Sequence, residues 1–231
     1  MLQIKKNLEL IRDRINKAAR RAGRDPDEVR LVAVSKKKSA EQINEAFTCG
    51  QTIFGENYLQ EASAKIEQLD PGISWHFIGH LQSNTAAMAA NMFDVVETVD
   101  RLKVARALDR SLAELAKDVL PVLIQVNIGH EPQKSGVMPE DTAGLLRDMQ
   151  VLKNIKVQGF MVMPPFSDDP EMVRPYFRQT RELALSLRDQ GLLATEGEIE
   201  LSMGMSGDYE AAIEEAATLG RVATAVFGQR P

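Results

Sequence analysis

A lysine at the end of an apolar segment is the first candidate for covalent chemistry. Residues 31–35, LVAVS, are rich in β-branched side chains and predict a strand, and Lys36 follows them directly. Lys36 has the two-residue phase of Val32 and Val34, so the three side chains point to one face. On an enclosed face, desolvation and nearby cations favour a neutral amine, which attacks an aldehyde to form a Schiff base. The run of three lysines from position 36, taken alone, instead favours a solvated segment before a helix.

A glycine-bearing turn is the candidate anion site. Residues 202–208, SMGMSGD, join a predicted strand to a predicted helix. Backbone amides and the Ser206 hydroxyl in such a turn can bind an anion, and phosphate in α/β barrels commonly sits at the loops after the last two strands. The alternative is an ordinary turn in which Ser206 or Asp208 only caps the helix.

Three further polar residues, Arg221, Asn57 and His80, lie at or beyond predicted strand ends. Arg221 starts the last predicted strand and needs an acceptor because its charge cannot be removed, although a structural ion pair would also supply one. Asn57 can form a hydrogen bond with a hydroxyl group on the ring of a ligand. The adjacent Glu56 is either a site residue, a helix cap or a packing partner. His76 has the phase of a core histidine, whereas His80 lies beyond the strand and is the better site candidate.

Eight short apolar segments, separated by stretches with helical spacing, predict the elements that must position these residues. The predicted strands are 31–35, 52–55, 74–79, 94–99, 122–127, 157–163, 199–203 and 221–227. Alternating strands and helices imply parallel strands, and eight such units favour a closed (β/α)8 TIM-type barrel over an open doubly wound sheet. The active site of such a barrel lies at the carboxyl ends of its strands, where the candidate residues fall.

The predicted helices include one before the first strand. Its stripe of apolar residues at helical spacing is Ile4, Leu8, Ile11 and Ile15. Since few residues remain after the last strand, this extra N-terminal helix is expected to take the place of a missing eighth helix. Ser39 with Gln42 predicts a capping box, and Asp100 is expected to cap the helix that runs through Leu115.

The composition bounds the class of protein. The chain has 231 residues, 44% hydrophobic and 26% charged, which predicts one globular domain over residues 1–231. Its formal net charge of −5 argues against nucleic acid or an anionic membrane as partner. The one cysteine, Cys49, excludes an intrachain disulfide, and the three histidines have no metal-ligand spacing. No signal peptide or membrane-spanning stretch is visible, which predicts a cytoplasmic protein.

Six segments, in order and over nearly the whole chain, resemble the YggS/PROSC family of pyridoxal phosphate-binding proteins, also called the pyridoxal phosphate homeostasis proteins. They are LVAVSK at 31–36, FGENYLQE at 54–61, WHFIGHLQSN at 75–84, QVNIGHEPQKSG at 125–136, LSMGMSGDYEAAI at 201–213 and RVATAVFG at 221–228. Each is weak alone, and together they are specific. The resemblance implies a fold like the N-terminal barrel of alanine racemase and pyridoxal 5'-phosphate (PLP) as cofactor.

The resemblance also implies roles for the candidate residues. Lys36 carries the cofactor as a Schiff base, and Arg221 faces the pyridine nitrogen. Ser206, Thr224 and the backbone near Ala223 hold the phosphate. Asn57 lies near the ring. Together with His80, the candidate from its place beyond a strand end, these residues form the expected cofactor-binding set, which is Lys36, Asn57, His80, Ser206, Arg221, Ala223 and Thr224.

The sequence departs from the family pattern at several positions. Ala223 replaces a glycine in the last strand, where a Cβ could crowd the phosphate. Thr85 and Lys37 replace a lysine and a threonine, and residues 216–218, AAT, replace Gly-Ser-Thr. Lys134, in contrast, matches a lysine that the family usually keeps near the site, and it is a candidate second cofactor site.

The expected chemistry is that of a carrier. An arginine at the pyridine nitrogen accepts no proton and disfavours a second positive charge, so the ring is a weak electron sink. A racemase needs a base on each side of the α-carbon, and Lys36 supplies only one. The prediction is a monomeric PLP-binding protein without strong catalytic activity, which stores or delivers PLP to apo-forms of PLP-dependent enzymes.

Two enzymes remain as alternatives. One is a monomeric amino-acid racemase with Tyr58 or Lys134 as the second base. The other is an aldolase-like enzyme in which Lys36 condenses with a phosphosugar carbonyl, without PLP.

Overall fold

In the computed structural model, which describes residues 2–193 and 197–228, eight parallel strands close into a barrel. The strands are β1 (Arg30–Val34), β2 (Ile53–Glu56), β3 (Ser74–Phe77), β4 (Val95–Val99), β5 (Leu120–Val126), β6 (Ile155–Val162), β7 (Glu200–Ser202) and β8 (Leu219–Val222). Each strand pairs with the next along the chain, and β1 pairs with β8, with Val32 beside Arg221. Closure through this last pair confirms the predicted barrel and excludes the open sheet.

One of the helices that surround the barrel precedes β1, and the others follow the strands in turn. They are α1 (Leu2–Arg21), α2 (Ala40–Thr48), α3 (Leu59–Ile66), α4 (Ala86–Met92), α5 (Leu102–Leu115), α6 (Thr142–Met149), α7 (Pro170–Asp189), α8 (Tyr209–Glu214) and α9 (Thr224–Phe227). Within the described residues, no helix is both long and apolar enough to cross a membrane.

Helix α1 fills the place of a full eighth helix, as predicted. It packs against α8 and α2, the helices that follow β7 and β1, and so closes the ring between them. Its buried stripe is the predicted one, extended by Ala18 and Ala19. Asn7, on α1, also donates from Nδ2 to the Val226 carbonyl at 2.8 Å, which links this helix to α9.

Truncating this stripe is expected to destabilise the barrel. Leu8 is 1% exposed, and Leu8→Ala should lower the free energy of unfolding by about 3 kcal/mol because it leaves a cavity between α1 and the barrel. Leu10, on the same helix, is 52% exposed, and Leu10→Ala should change it by less than about 0.5 kcal/mol. Urea unfolding of both variants measures the difference. Equal losses would mean that α1 is not packed on the barrel.

One predicted helix cap is present and another is wrong. Ser39 Oγ accepts from the Gln42 N–H at 3.3 Å, and the Gln42 side chain accepts from the Ser39 N–H at 3.2 Å, which confirms the capping box. Asp100 does not cap α5, because Arg101 occupies the cap position. The Asp100 carboxylate instead accepts from Arg101 Nη1 at 2.5 Å.

The last predicted strand, 221–227, is wrong beyond Val222. The strand stops at Val222, and the apolar residues that follow form the short helix α9. A short apolar run cannot be assigned to a strand or a helix by periodicity alone. Here the run forms a helical turn in which Val226 and Phe227 are buried. Ala223 and Thr224 therefore lie just beyond a strand end, at the mouth of the barrel, rather than within a strand.

Candidate functional site

A cavity of about 380 Å³ opens at the carboxyl ends of the strands. This volume is in the range of small-molecule sites. Apolar side chains of Val34, Ile78, Met163, Phe166 and Met205 supply much of its lining. Six of the seven predicted cofactor-binding residues also line it, and these are Lys36, Asn57, Ser206, Arg221, Ala223 and Thr224.

The strand phase places Lys36 in this cavity. Val32 packs inside the barrel with Leu123, Met161 and Leu219, and Val34 lines the cavity one step above it. Lys36, two residues further, is half-buried and lines the same cavity. The prediction that these three side chains share a face is confirmed.

Asn57 lines this cavity and has an unsatisfied acceptor in its side chain. Its Oδ1 atom is buried and has no hydrogen-bond partner among the described residues. Buried polar atoms are nearly always paired, so an orphaned oxygen on a residue that lines a cavity is a candidate acceptor for a ligand donor. The backbone of Asn57 is held by a close approach of Gly79, where a Cβ would lie 2.1 Å from the Asn57 carbonyl oxygen.

Gly79→Ala is therefore expected to displace Asn57. The new methyl group overlaps backbone atoms that cannot rotate away, and the free energy of unfolding should fall by about 3 kcal/mol. Gly144, in α6, has open space where its Cβ would lie, so Gly144→Ala is a matched control and should be neutral or slightly stabilising. Thermal unfolding of both variants tests this. A Gly79→Ala variant as stable as the control would contradict the close approach.

The glycine-bearing turn after β7 forms another wall of the cavity. Gly204 has a φ of +86°, and a Cβ there would lie 2.7 Å from the Tyr209 Cα, so the turn requires glycine. The Asp208 side chain accepts from the Met205 N–H at 2.6 Å and closes the turn rather than capping α8. Burial raises the pKa of Asp208, although the Met205 N–H and the Arg221 charge oppose the rise. Ser206 is left half-buried at the cavity.

The backbone conformation at position 223, where Ala223 replaces the family's glycine, does not require glycine. Its φ of −109° lies in the region open to all L-residues. The residue lines the cavity beside Thr224, whose side chain is exposed. The departure from the family pattern is therefore compatible with the local backbone.

Arg221 belongs to a buried polar network that crosses the barrel. Its Nη1 donates to Ser202 Oγ at 2.6 Å, and its Nη2 donates to the Val162 carbonyl at 2.7 Å. Ser202 Oγ in turn donates to Glu97 Oε2 at 2.5 Å. His76 Nδ1 lies 2.6 Å from Glu97 Oε1, so His76 is a hydrogen-bonded core histidine, as its phase predicts.

In this network, the opposite charges of Glu97 and Arg221 each favour the ionised form of the other. Burial alone would raise the pKa of Glu97, but hydrogen bonding to His76 and the charges of His76 and Arg221 outweigh it and hold that pKa below its ordinary value. Burial lowers the pKa of Arg221, and the charges of Glu97 and Asp208 oppose the change. An arginine stays protonated under such conditions, so a fixed positive charge lines the cavity.

Sequence reasoning missed Glu97. Its signal was a carboxylate inside the apolar segment DVVETV at 94–99, because a charge at the centre of a buried strand requires a partner. Glu56, in contrast, was considered and is a buried packing partner. Its Oε1 accepts from Ser35 Oγ at 2.6 Å and from Lys65 Nζ at 2.7 Å.

The structure does not bring the remaining candidates into the cavity. His80 is exposed, with Nδ1 3.0 Å from Ser135 Oγ and 3.9 Å from Asp100 Oδ2. Lys134 pairs with Glu131 and donates to the carbonyls of Met163 at 3.3 Å and Pro164 at 2.9 Å. Tyr58 is also exposed. In the described parts of the chain, no group of three His, Cys, Asp or Glu residues is placed to hold a metal ion.

Comparison with known proteins agrees with this geometry. The family described as alanine racemase, N-terminal domain, matches residues 7–231. A pyridoxal phosphate homeostasis protein of Pseudomonas aeruginosa is 43% identical over 100% of this chain and 97% of the relative, and one of Aquifex aeolicus is 41% identical over 96% of each. PipY of Synechococcus elongatus, in a structure with PLP bound, is 36% identical with a TM-score of 0.85, over 98% of this chain and 100% of PipY.

Both kinds of similarity extend over nearly the full length of the chain, well beyond the residues of the cavity. The barrel matched by the family is also the one that the strands of this chain form. The chain therefore belongs to the alanine racemase N-terminal domain family and, within it, to the pyridoxal phosphate homeostasis proteins.

Proposed function

We propose that this chain binds PLP in the cavity at the barrel mouth, with Lys36 as the covalent anchor, and serves PLP homeostasis rather than catalysis. The observation that carries the proposal is the convergence in one cavity of a lysine, the unsatisfied Asn57 oxygen, and the hydroxyl groups of Ser206 and Thr224. The names of the relatives and the PLP-bound structure of PipY support it.

The residues present fit this cofactor. PLP, when bound, supplies an aldehyde that reacts with amines and an electron-withdrawing pyridine ring. The Lys36 amine is the group that would hold the aldehyde, and Asn57 Oδ1 is an acceptor for the ring hydroxyl. The hydroxyls of Ser206 and Thr224 and the backbone at Ala223 are donors for phosphate oxygens.

Arg221 favours a carrier over an enzyme. Its guanidinium lines the cavity and is held by Ser202 and the Val162 carbonyl. We propose that it faces the pyridine nitrogen, where it disfavours protonation of the ring because two positive charges would lie together. An unprotonated ring withdraws electrons weakly, which limits carbanion chemistry.

The candidate second bases of a racemase lie elsewhere. Tyr58 is 51% exposed and does not line the cavity. The Lys134 ammonium donates to two backbone carbonyls and pairs with Glu131. Neither is arranged to take a proton opposite Lys36, which supports reversible holding of PLP.

Borohydride reduction of the protein with PLP, followed by peptide mapping, tests the proposal. We expect a new absorption band on PLP binding and a label on Lys36. A label found only on another lysine, such as Lys134, would overturn the anchor, and a protein that stays colourless would favour the aldolase-like alternative. Steady production of a D-amino acid from the L-form, dependent on Lys36, would instead establish a racemase.

The proposal extends to partners and location. A protein that holds PLP reversibly can supply apo-forms of PLP-dependent enzymes, and we propose that it does so as a cytoplasmic monomer. Mixing the PLP-loaded protein with an apo-enzyme tests the transfer. Activation of the apo-enzyme no faster than by the same total concentration of free PLP would contradict delivery.

A further inference from the structure

A buried cluster behind the barrel wall contacts the backbone next to Lys36. Lys65, on α3, is 8% exposed, and its ammonium donates to three oxygens. These are the Ser35 carbonyl at 2.8 Å, Glu56 Oε1 at 2.7 Å and Glu61 Oε1 at 2.6 Å. A lysine ammonium has three protons, so all of its donor capacity is directed to this cluster.

Lys65 and Glu61 each contact one of the two peptide groups that flank the Lys36 Cα. The group before it presents the Ser35 carbonyl to Lys65. The group after it presents the Lys37 N–H to Glu61 Oε1 at 2.5 Å. Peptide groups are planar, so the orientations of these two planes set φ and ψ of Lys36. Lys65 and Glu61 also bind each other at 2.6 Å, which links the two contacts.

The backbone of Lys37 needs such support. Its φ is +60°, a region that non-glycine residues seldom occupy and keep only when the surroundings enforce it. Lys37 is the third residue of a turn closed by the Lys38 N–H, which donates to the Ser35 carbonyl at 3.0 Å. Turns with positive φ at this position favour glycine or asparagine. The Glu61 carboxylate is the side-chain acceptor that secures the Lys37 N–H in this conformation.

Stability alone does not account for these buried charges. Glu56 is fully buried, and its Oε2 has no hydrogen-bond partner among the described residues. Burial raises the pKa of Glu56, although the hydrogen bonds from Lys65 and Ser35 oppose the rise. Buried ion pairs are often no more stabilising than apolar residues of similar volume. The cluster is better explained by the geometry that it imposes on its neighbours.

We propose that Lys65 and Glu61 are positioning residues for Lys36, fixing the backbone dihedral angles that aim its side chain into the cavity. This inference rests on the proposed function, since the reaction affected is that of the Lys36 amine with PLP. Neither residue is among those that line the cavity.

Three readouts test the inference on the full-length protein. In Lys65→Met and Glu61→Ala, the rate at which borohydride traps PLP on Lys36 should fall about 10- to 100-fold, because the amine is no longer held in the reacting direction. The pH dependence of the absorption band of bound PLP should also shift. In the PLP-free protein, hydrogen exchange at the Lys37 amide should quicken about tenfold in Glu61→Ala, since its acceptor is gone.

Two controls separate positioning from folding. Glu61→Gln keeps an oxygen acceptor for the Lys37 N–H and should recover most of the trapping rate and exchange protection that Glu61→Ala loses. Lys17 forms the same i, i+4 pair with Asp13 at 2.7 Å on the exposed side of α1, and Lys17→Met should trap PLP like the wild type. If Lys65→Met fails to fold, Lys65→Met/Glu56→Gln removes the unpaired buried carboxylate and replaces it in the test.

The outcomes are distinct from those of the proposed function. Folded Lys65→Met (or its double variant) and Glu61→Ala that trap PLP on Lys36 at the wild-type rate, with the wild-type absorption profile, overturn positioning. Loss of trapping in Glu61→Gln equal to that in Glu61→Ala also overturns it. If wild-type Lys36 takes no label, the proposed function fails, and the Lys37 exchange rate decides the backbone contact. In that case, an unchanged rate of hydrogen exchange at the Lys37 amide in Glu61→Ala overturns the proposed contact between Glu61 and the Lys37 backbone.

Discussion

Replacement of Lys36 by alanine is expected to weaken PLP binding at least about 100-fold, or about 2.8 kcal/mol. The reason is that Lys36 supplies the proposed covalent attachment, whereas Asn57, Ser206 and Thr224 supply hydrogen bonds worth about 1 kcal/mol each. The absorption band of the bound cofactor should be absent in Lys36→Ala. Equilibrium dialysis of PLP against the variant measures the non-covalent affinity that remains.

Lys38→Ala is the matched control for this loss. Lys38 belongs to the same lysine run, and its Nζ lies 5.8 Å from the centre of the Phe227 ring. The control should keep the affinity and absorption band of the wild type. If both variants lost the same affinity, the positive charge of the run would explain binding better than a covalent anchor at Lys36.

The location of Lys36 could be predicted because a strand has a strict two-residue period. Val32 and Val34 had to face the same way, and apolar residues in a barrel strand face either the barrel interior or the surrounding helices. A polar residue that continues this phase past the strand end must therefore enter the mouth or lie against a helix. The structure resolves this choice in favour of the mouth.

The network around Arg221 could not be predicted in the same way. Its members come from β3, β4, β7 and β8, so Glu97 meets His76 from the preceding strand and also Ser202, 105 positions further along the chain. Periodicity assigns each of them a face but not a partner across a closed barrel. The same limit applies to His80, which lies at the expected strand end but pairs with Ser135 rather than entering the cavity.

The helical turn of residues 224–227 illustrates a second limit. Its sequence, TAVF, suits a strand by composition, and a run this short has too few residues to reveal a helical period. Packing decides the outcome, since α1 packs against α9 and Asn7 binds the Val226 carbonyl. Because the strand ends early, Ala223 and Thr224 reach the cavity as loop and helix residues.

Glu97→Gln is expected to lower the free energy of unfolding by about 3–5 kcal/mol at neutral pH. The carboxylate is fully buried and accepts from Ser202, which itself accepts from Arg221. Without that negative charge, the buried guanidinium of Arg221 loses its counterion, and desolvation is no longer compensated. Urea denaturation followed by circular dichroism gives the change.

A second glutamate–histidine pair provides the control. Glu140 lies 3.2 Å from His130, as Glu97 lies close to His76, but its side chain is 63% exposed. Glu140→Gln should leave the unfolding midpoint essentially unchanged, because solvent screens exposed pairs. Comparable losses in the two variants would mean that burial does not set the strength of the Glu97 interactions.

The pH dependence separates the charge of Glu97 from its shape. Burial opposes ionisation, yet His76 and Arg221 hold its pKa in the fold below the ordinary 4.5. Such a group contributes stability above its unfolded pKa, and the contribution is lost as pH falls through the lower folded pKa. Wild-type stability should therefore decline more steeply on acidification below about pH 5 than that of Glu97→Gln. Parallel curves would assign the loss in the variant to packing alone.

Glu97 should also influence PLP binding through Arg221. The guanidinium lines the cavity, and its position depends on Ser202, whose hydroxyl donates to Glu97. In conditions where Glu97→Gln remains folded, the loss of the negative charge that balances the Arg221 guanidinium should weaken PLP binding and shift the absorption of the bound ring. Unaltered binding by the folded variant would limit Glu97 to stability, whereas a shift would show that a residue outside the cavity tunes the charge presented to the cofactor.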